Sequence, residues 1–111
     1  SDDKRVLEWM LKAAIQGNAN AQNELGLLYF NGNGGAIRSK QSAYKWIQES
    51  ANQGYDLAQN NLGWMYQNGE GVSKNYKKAF EWYQKGANNG DALAQVSVAS
   101  FYEYGIVKIR W

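Results

Sequence analysis

The chain has 111 residues, no histidine and no cysteine, and its twelve basic and ten acidic side chains give a formal net charge of +2. So small a charge does not by itself drive binding to nucleic acid or to a membrane surface, and no apolar run is long enough to predict a spanning helix. The missing residue types exclude disulfides, thiol nucleophiles, the commonest general base and most zinc ligands.

The first predicted helix lies in residues 3–17 and carries an apolar stripe at helical spacing. Asp2 and Asp3 stand at its start, where acids suit the positive end of the helix dipole. Trp9, Ala14 and Gly17 recur downstream in the second helix of a repeated hairpin. This segment is therefore predicted to be a partial repeat that consists of a second helix only.

Two complete helical hairpins are predicted to follow, at residues 19–54 and 56–90. Their first helices are expected at residues 19–31 and 56–68, and their second helices at residues 39–52 and 75–88. The first helices share letters at a spacing of 37 residues, namely Ala21, Leu25, Gly26, Tyr29 and Gly32 in one and Ala58, Leu62, Gly63, Tyr66 and Gly69 in the other. Self-similarity at this period indicates a solenoid.

The pattern returns in a partial repeat at residues 91–105 and then fails. Residues 106–111 alternate apolar and basic side chains from Val107 onward, which indicates a strand only weakly. They are interpreted as a capping tail in which Ile106, Ile109 and Trp111 cover the open face of the last hairpin. Contact of the tail with another copy or a partner, and disorder, are the alternatives.

Helix boundaries and core positions can be predicted from recurring letters. Glycines stand where C-terminal caps are expected, namely Gly17, Gly32, Gly54, Gly69, Gly90 and Gly105. The expected helix-start residues are Asp56, Asp91, and Ser39 or Ser73. The apolar stripes predict a core that contains Ala58, Leu62, Met65, Tyr66, Ala79, Trp82, Tyr83 and Ala87. The recurring aromatic residues are also expected in the core, namely Trp9, Trp46, Trp82, Tyr29, Tyr66 and Tyr102.

These recurring letters resemble the Sel-one-like repeat, a relative of the tetratricopeptide repeat built from helix–turn–helix units of about 36 residues. The resemblance covers residues 6–105. It implies one all-α domain over residues 1–111, a right-handed α-α superhelical solenoid of about three helical hairpin repeats and about six helices. Families of this kind are mostly adaptors and scaffolds, and the fold alone does not name a ligand.

No catalytic residue, cofactor or metal site is predicted. Glu24, Glu49, Glu70, Glu81 and Glu103 are scattered singly, and no serine has a candidate base. The glycine-rich stretch at residues 32–35 lacks the lysine and hydroxyl of a phosphate-binding loop. The lysines of the second helices are interpreted as a solvated face, because they form no one-sided stripe with interleaved aromatic residues.

The resemblance implies a concave face lined by the first helices, called here the first-helix face. Repeat positions three, seven, ten and eleven predict its members: Asn23, Leu27, Phe30 and Asn31; Asn60, Trp64, Gln67 and Asn68; Val96, Ser100, Glu103 and Tyr104. Leu27, Phe30 and Trp64 are large apolar groups where a merely solvated helix carries charge. Their packing against neighbouring helices is the alternative. Asn23 and Asn60 could hydrogen-bond the backbone of an extended peptide.

The predicted function is a non-catalytic protein–protein interaction module that binds a protein or peptide through this face, as an adaptor fragment of a longer bacterial protein. One alternative is a small bacterial immunity protein or inhibitor that neutralises a toxin by direct binding. Another is a structural fragment that self-associates through its repeat ends or its tail. Neither nucleic-acid binding nor membrane insertion is expected. The periplasm, secretion and the cytoplasm all remain open.

Overall fold

A computed structural model describes residues 2–105 of the chain. This part forms six helices and no strand, and the helices are α1 (Asp3–Ile15), α2 (Ala19–Asn31), α3 (Lys40–Asn52), α4 (Asp56–Asn68), α5 (Tyr76–Asn88) and α6 (Ala92–Glu103). Each begins and ends within about two residues of its predicted bounds. The predicted capping tail, with Ile106, Ile109 and Trp111, lies outside the described residues.

The helices pack in the order in which the chain makes them. The closest pairs are α2 with α3 and α4 with α5, which are the two complete hairpins, and α1 packs on α2, α3 on α4 and α5 on α6. The molecule is elongated, with principal extents of 51 × 23 × 18 Å. The predicted all-α solenoid of about three helical hairpins is confirmed. None of the helices in residues 2–105 combines the length and apolar character needed to cross a bilayer.

Two of the six glycines predicted as C-terminal caps occupy that position. The other four helices have Gln16, Gln53, Asn89 or Tyr104 as the C-cap, each followed by the predicted glycine with a positive φ. Gly32 and Gly69 are C-caps in the left-handed region, with φ of 70° and 66°, and their N–H groups donate to the carbonyls of Leu28 and Met65. At the helix starts, Ser39 and Asp91 each accept a hydrogen bond from a backbone N–H three residues later, and so do Asn18 and Asn75, which were not predicted. Ser73 is not a cap.

Two other glycines allow helices to approach closely. A Cβ atom at Gly63 would lie 2.6 Å from Cδ1 of Tyr83, and one at Gly26 would lie 2.5 Å from Cγ1 of Ile47. Real side chains do not tolerate such distances, so these positions require glycine for the hairpin helices to nest. The core around them holds the predicted apolar side chains, with Ala58, Leu62, Met65, Tyr66, Ala79 and Tyr83 at most 5% exposed.

The prediction that all recurring aromatic residues are core residues is wrong for two of them. Trp46 and Trp82 are half-buried against the core, whereas Trp9 is 66% exposed and Tyr102 is 50% exposed. Trp46 packs on a cluster formed by Ala14 of α1 and two residues of α2. No unit precedes α1 within residues 2–105, and no hairpin partner of α6 is described there, so the equivalent contacts are not made.

Side-chain amides join each unit to the next. Glutamines of the first helices donate from Nε2 to carbonyls of the preceding second helix, Gln22 to Ala14, Gln59 to Ala51 and Gln95 to Ala87, at 3.1 to 3.3 Å. Gln53 donates to Gln22 Oε1 at 2.8 Å, and Asn89 donates to Gln59 Oε1 at 2.9 Å. These bonds, called here the amide ladder, satisfy polar groups at the junctions between units.

Candidate partner-binding face

The structure brings four of the predicted residues of the first-helix face together around one cavity of about 170 Å³. Its lining consists of Leu27, Phe30 and Asn31 from α2, Ile47 from α3, and Asn61, Trp64 and Met65 from α4. We call this site the α2–α4 groove. It is apolar apart from two amide side chains, and none of the lining residues is titratable.

Two aromatic rings dominate the groove. Phe30 and Trp64 meet edge to face, with ring centroids 5.6 Å apart and an interplanar angle of 78°. Phe30 and Leu27 are half-buried and pack against the core, so the alternative interpretation of these two residues holds in part. Trp64 keeps 43% of its surface exposed. It therefore has apolar area left for a partner to cover.

Of the two predicted peptide-binding asparagines, Asn23 belongs to the contact between α2 and α4. Asn23 is only 2% exposed, and its Oδ1 accepts a hydrogen bond from Asn61 Nδ2 at 3.0 Å. Asn60 has a buried Oδ1 with no hydrogen-bond partner among the described residues. Asn61 lines the groove and was missed by the sequence analysis, because its repeat equivalents are Glu24 and Ser97 and no recurring letter marks the position.

Gln67 and Asn68 lie at the C-terminal end of α4, one turn beyond Trp64. Gln67 Oε1 accepts a hydrogen bond from the hydroxyl of Tyr83 at 2.7 Å, which ties α4 to α5. Burial raises the pKa of Tyr83 to about 12, so this hydroxyl remains a donor over the neutral range. Asn68 is exposed and donates to the carbonyl of Trp64 at 3.0 Å. It leaves its own amide oxygen available to a partner.

The predicted residues of α6 are separate from the groove. Ser100 is half-buried and its hydroxyl donates to the carbonyl of Val96 at 3.0 Å. Val96 and Tyr104 are 64% and 74% exposed, and Glu103 is exposed as well. None of them lines the α2–α4 groove. The predicted face therefore consists of a groove between α2 and α4 and an exposed strip on α6.

Charge near the groove is sparse. Lys40 of α3 reaches its edge, with Nζ 6.0 Å from the centre of the Phe30 ring, and forms an ion pair with Glu70. Within residues 2–105, no three acidic, histidine or cysteine side chains are grouped so as to hold a metal ion. The site thus offers an apolar surface bordered by amides and by one neutralised cation.

Comparison with known proteins agrees with the repeat architecture. The family model described as Sel1 repeat matches residues 2–18, 19–55, 56–91 and 92–109. A solved protective antigen present in uropathogenic Escherichia coli strains, displaying an SLR fold, has a TM-score of 0.85 and 36% identity over 89% of this chain. A Sel1 repeat protein from Oxalobacter formigenes has a TM-score of 0.83 and 39% identity over 89% of the chain.

A more distant structure shows the fold alone. The Helicobacter pylori cysteine rich protein B has a TM-score of 0.75 and 24% identity over 79% of this chain. The chain spans 21% of the length of the E. coli antigen, 40% of the Oxalobacter protein and 65% of the Helicobacter protein. No curated protein sequence matches the chain.

Proposed function

Because the chain belongs to the Sel1 repeat family, we propose that it is a non-catalytic module that binds a protein or an extended peptide through its first-helix face, with the α2–α4 groove at the centre. Sel1 repeat proteins generally mediate protein–protein interactions. The observation that carries the proposal is Trp64, which is 43% exposed and lies beside Phe30 at the mouth of an apolar groove.

The size of the groove favours a side chain of a partner over a small-molecule ligand. Its volume of about 170 Å³ is below the roughly 300–1,000 Å³ of typical small-molecule sites. An apolar anchor that enters the groove would cover Trp64 and Phe30, and aromatic residues buried at the centre of an interface carry much of its binding energy. The absence of titratable groups in the lining supports binding and not catalysis.

The test uses peptides selected from a displayed random library against the intact chain. We expect Trp64→Ala to lower the affinity for the selected peptides roughly thirtyfold, which is the effect of a hot-spot residue that contributes about 2 kcal/mol. The same substitution should cost less than about 1 kcal/mol of folding free energy, because it removes one exposed edge-to-face contact. Isothermal titration calorimetry and urea denaturation measure the two quantities.

A matched control is Trp9→Ala, since Trp9 is also exposed but lies on α1, away from the groove. It should leave the affinity for the selected peptides unchanged. Equal affinity of the wild-type chain and Trp64→Ala would contradict the proposal. So would a large loss of stability in Trp64→Ala whose folded fraction still binds.

Self-association through a repeat end rests on a different observation, the exposed Val6 and Trp9 on α1. In the equivalent helix α3, Trp46 occupies this face and packs on Ala14 of α1 and on Ala21 and Leu25 of α2. If this face binds a second copy, light scattering should report a dimer that Trp9→Lys dissociates. A strict monomer at high concentration would contradict it.

A further inference from the structure

Charges are segregated between the two kinds of helix. The first helices α2, α4 and α6 contain no lysine or arginine, and their charged residues are Glu24, Asp56 and Glu103. The second helices carry the bases, with three lysines and arginines in α1, two in α3 and three in α5. The first-helix face is therefore uncharged or acidic, although the whole chain is weakly basic.

Two of the acids lie on the same helix faces as the predicted binding residues. Glu24 is three residues before Leu27 and seven before Asn31 on α2, so the three share one side of that helix. Glu103 is three residues after Ser100 on α6 and shares its side. Both acids are exposed. Between them lies α4, whose exposed Trp64 and Asn68 are uncharged.

Among the described residues, neither acid forms an ion pair. Lys40 and Glu70 form an ion pair in the part of the chain that the structure describes, and Glu24 and Glu103 take part in none there. Lys40 is the cation at the edge of the groove, and Glu70 offsets its charge. The groove thus has a free carboxylate on the helix that forms one of its walls and another on the helix beyond its other wall.

We propose that the occupant of the first-helix face is a basic peptide segment, with one bulky apolar side chain in the α2–α4 groove and lysine or arginine residues flanking it. The flanking cations pair with Glu24 on one side and with Glu103 on the other. This inference rests on the proposed function and names the class of its partner. Exposed ion pairs add little affinity, so the acids act mainly by speeding encounter with basic segments and rejecting acidic ones.

The test compares two synthetic peptides that share a central phenylalanine and differ only in the flanking residues, lysines in one and glutamates in the other. Fluorescence anisotropy at low salt should show tighter binding of the lysine peptide, by roughly two- to fivefold for each acid that it meets. The preference should shrink as salt is raised, because surface charges are screened. Equal binding of the two peptides, tighter binding of the glutamate peptide, or no binding of either would overturn the inference.

Variants assign the preference to the two acids. The double substitution Glu24→Gln and Glu103→Gln should remove most of the preference and leave the melting temperature unchanged. Glu81→Gln is the control, since Glu81 is an exposed acid on the second helix α5, and it should keep the preference. A preference that survives the double substitution would place the selectivity elsewhere and contradict the inference.

Trp64→Ala separates the two proposals. If both peptides bind the wild-type chain equally and both lose affinity in Trp64→Ala, the charge inference fails and the proposed function stands. If the lysine peptide binds Trp64→Ala as tightly as it binds the wild-type chain, the groove is not the binding site and both proposals fail.

Discussion

Trp46 on α3 and Trp9 on α1 hold the same position in consecutive second helices, but their surroundings differ. Trp46 is half-buried against Ala14 of the preceding α1 and against α2. Trp9 is 66% exposed, and Lys12 covers one face of its ring, with Nζ 4.4 Å from the ring centre. The recurring tryptophan therefore packs both on the first helix of its own hairpin and on the second helix of the preceding unit, and neither helix precedes α1 within residues 2–105.

The recurring tyrosine of the first helices also differs in exposure between two helices, α4 and α6. Tyr66 on α4 is 5% exposed, and its hydroxyl lies 2.7 Å from the hydroxyl of Tyr44. Tyr102 on α6 is 50% exposed, and its ring lies at a right angle to that of Phe80, with 5.7 Å between centroids. The same letter is thus buried on α4, between α3 and α5, and half-exposed on α6.

The largest expected contrast is between two glycines of the helix contacts. Gly63→Ala places a Cβ against the buried ring of Tyr83, and we expect a loss of about 1–3 kcal/mol from overpacking. Gly86→Ala places one 3.1 Å from Cβ of Ala94 on α6, with backbone atoms of Asp56 and Asn60 on α4 at the ordinary contact distances of 3.4 and 3.5 Å. There a small shift suffices, and the better helix propensity of alanine, about 1 kcal/mol, offsets the cost.

Urea denaturation at constant m-value measures both glycine variants. Gly63→Ala should lose clearly more free energy of unfolding than Gly86→Ala. A Gly63→Ala variant as stable as the wild-type chain would show that α4 and α5 can move apart without loss of stability. It would contradict the requirement for glycine at this position.

The next contrast uses the tryptophans themselves. Trp46→Ala removes a half-buried ring, and we expect a loss of about 2 kcal/mol, below the roughly 3–5 kcal/mol of a fully buried one. Trp9→Ala should change the free energy of unfolding by no more than about 0.5 kcal/mol, as at other exposed positions. Thermal and urea unfolding of the two variants test the difference. Equal losses would mean that Trp9 is covered in solution, for example by a second copy.

The smallest contrast concerns one hydrogen bond between neighbouring first helices. Asn61 Nδ2 donates to the buried Oδ1 of Asn23, whereas the equivalent Oδ1 of Asn60 has no partner among the described residues. Ser97 stands where the second donor would be, and its hydroxyl donates to the carbonyl of Leu93 in its own helix. A serine side chain in this conformation leaves the junction of α4 with α6 one bond short of the junction of α2 with α4.

Single substitutions that give each position the residue of the other should change stability in opposite directions. We expect Asn61→Ser to cost about 1 kcal/mol, because it leaves a buried oxygen unpaired, and Ser97→Asn to add about 0.5–1 kcal/mol. Denaturation midpoints of the two single variants measure both effects. If Ser97→Asn destabilises the chain, the unpaired oxygen of Asn60 is not the reason that this junction differs.

The sequence predicted helices and their ends well because those features depend on nearby residues. A positive φ at Gly32 and a side-chain cap at Ser39 are decided within one turn of the chain. The exposure of Trp9 and the burial of Asn23 depend instead on which helix lies alongside, which a repeat pattern does not state. Within the candidate site, repeat position placed Leu27, Phe30 and Trp64 at one groove. It could not show that Asn61 lines the groove.

The amide ladder has a consequence for how such proteins change length. Its rungs use the same three positions at the junctions of α1 with α2 and of α3 with α4, so a duplicated stretch such as residues 56–91 would arrive with the donors and acceptors that its neighbours require. Whole repeats can then be inserted or removed while the hydrogen bonds between neighbouring repeats are kept. Duplication of a repeat therefore preserves the contacts between repeats, and the exposed positions of each new repeat can change without disturbing them.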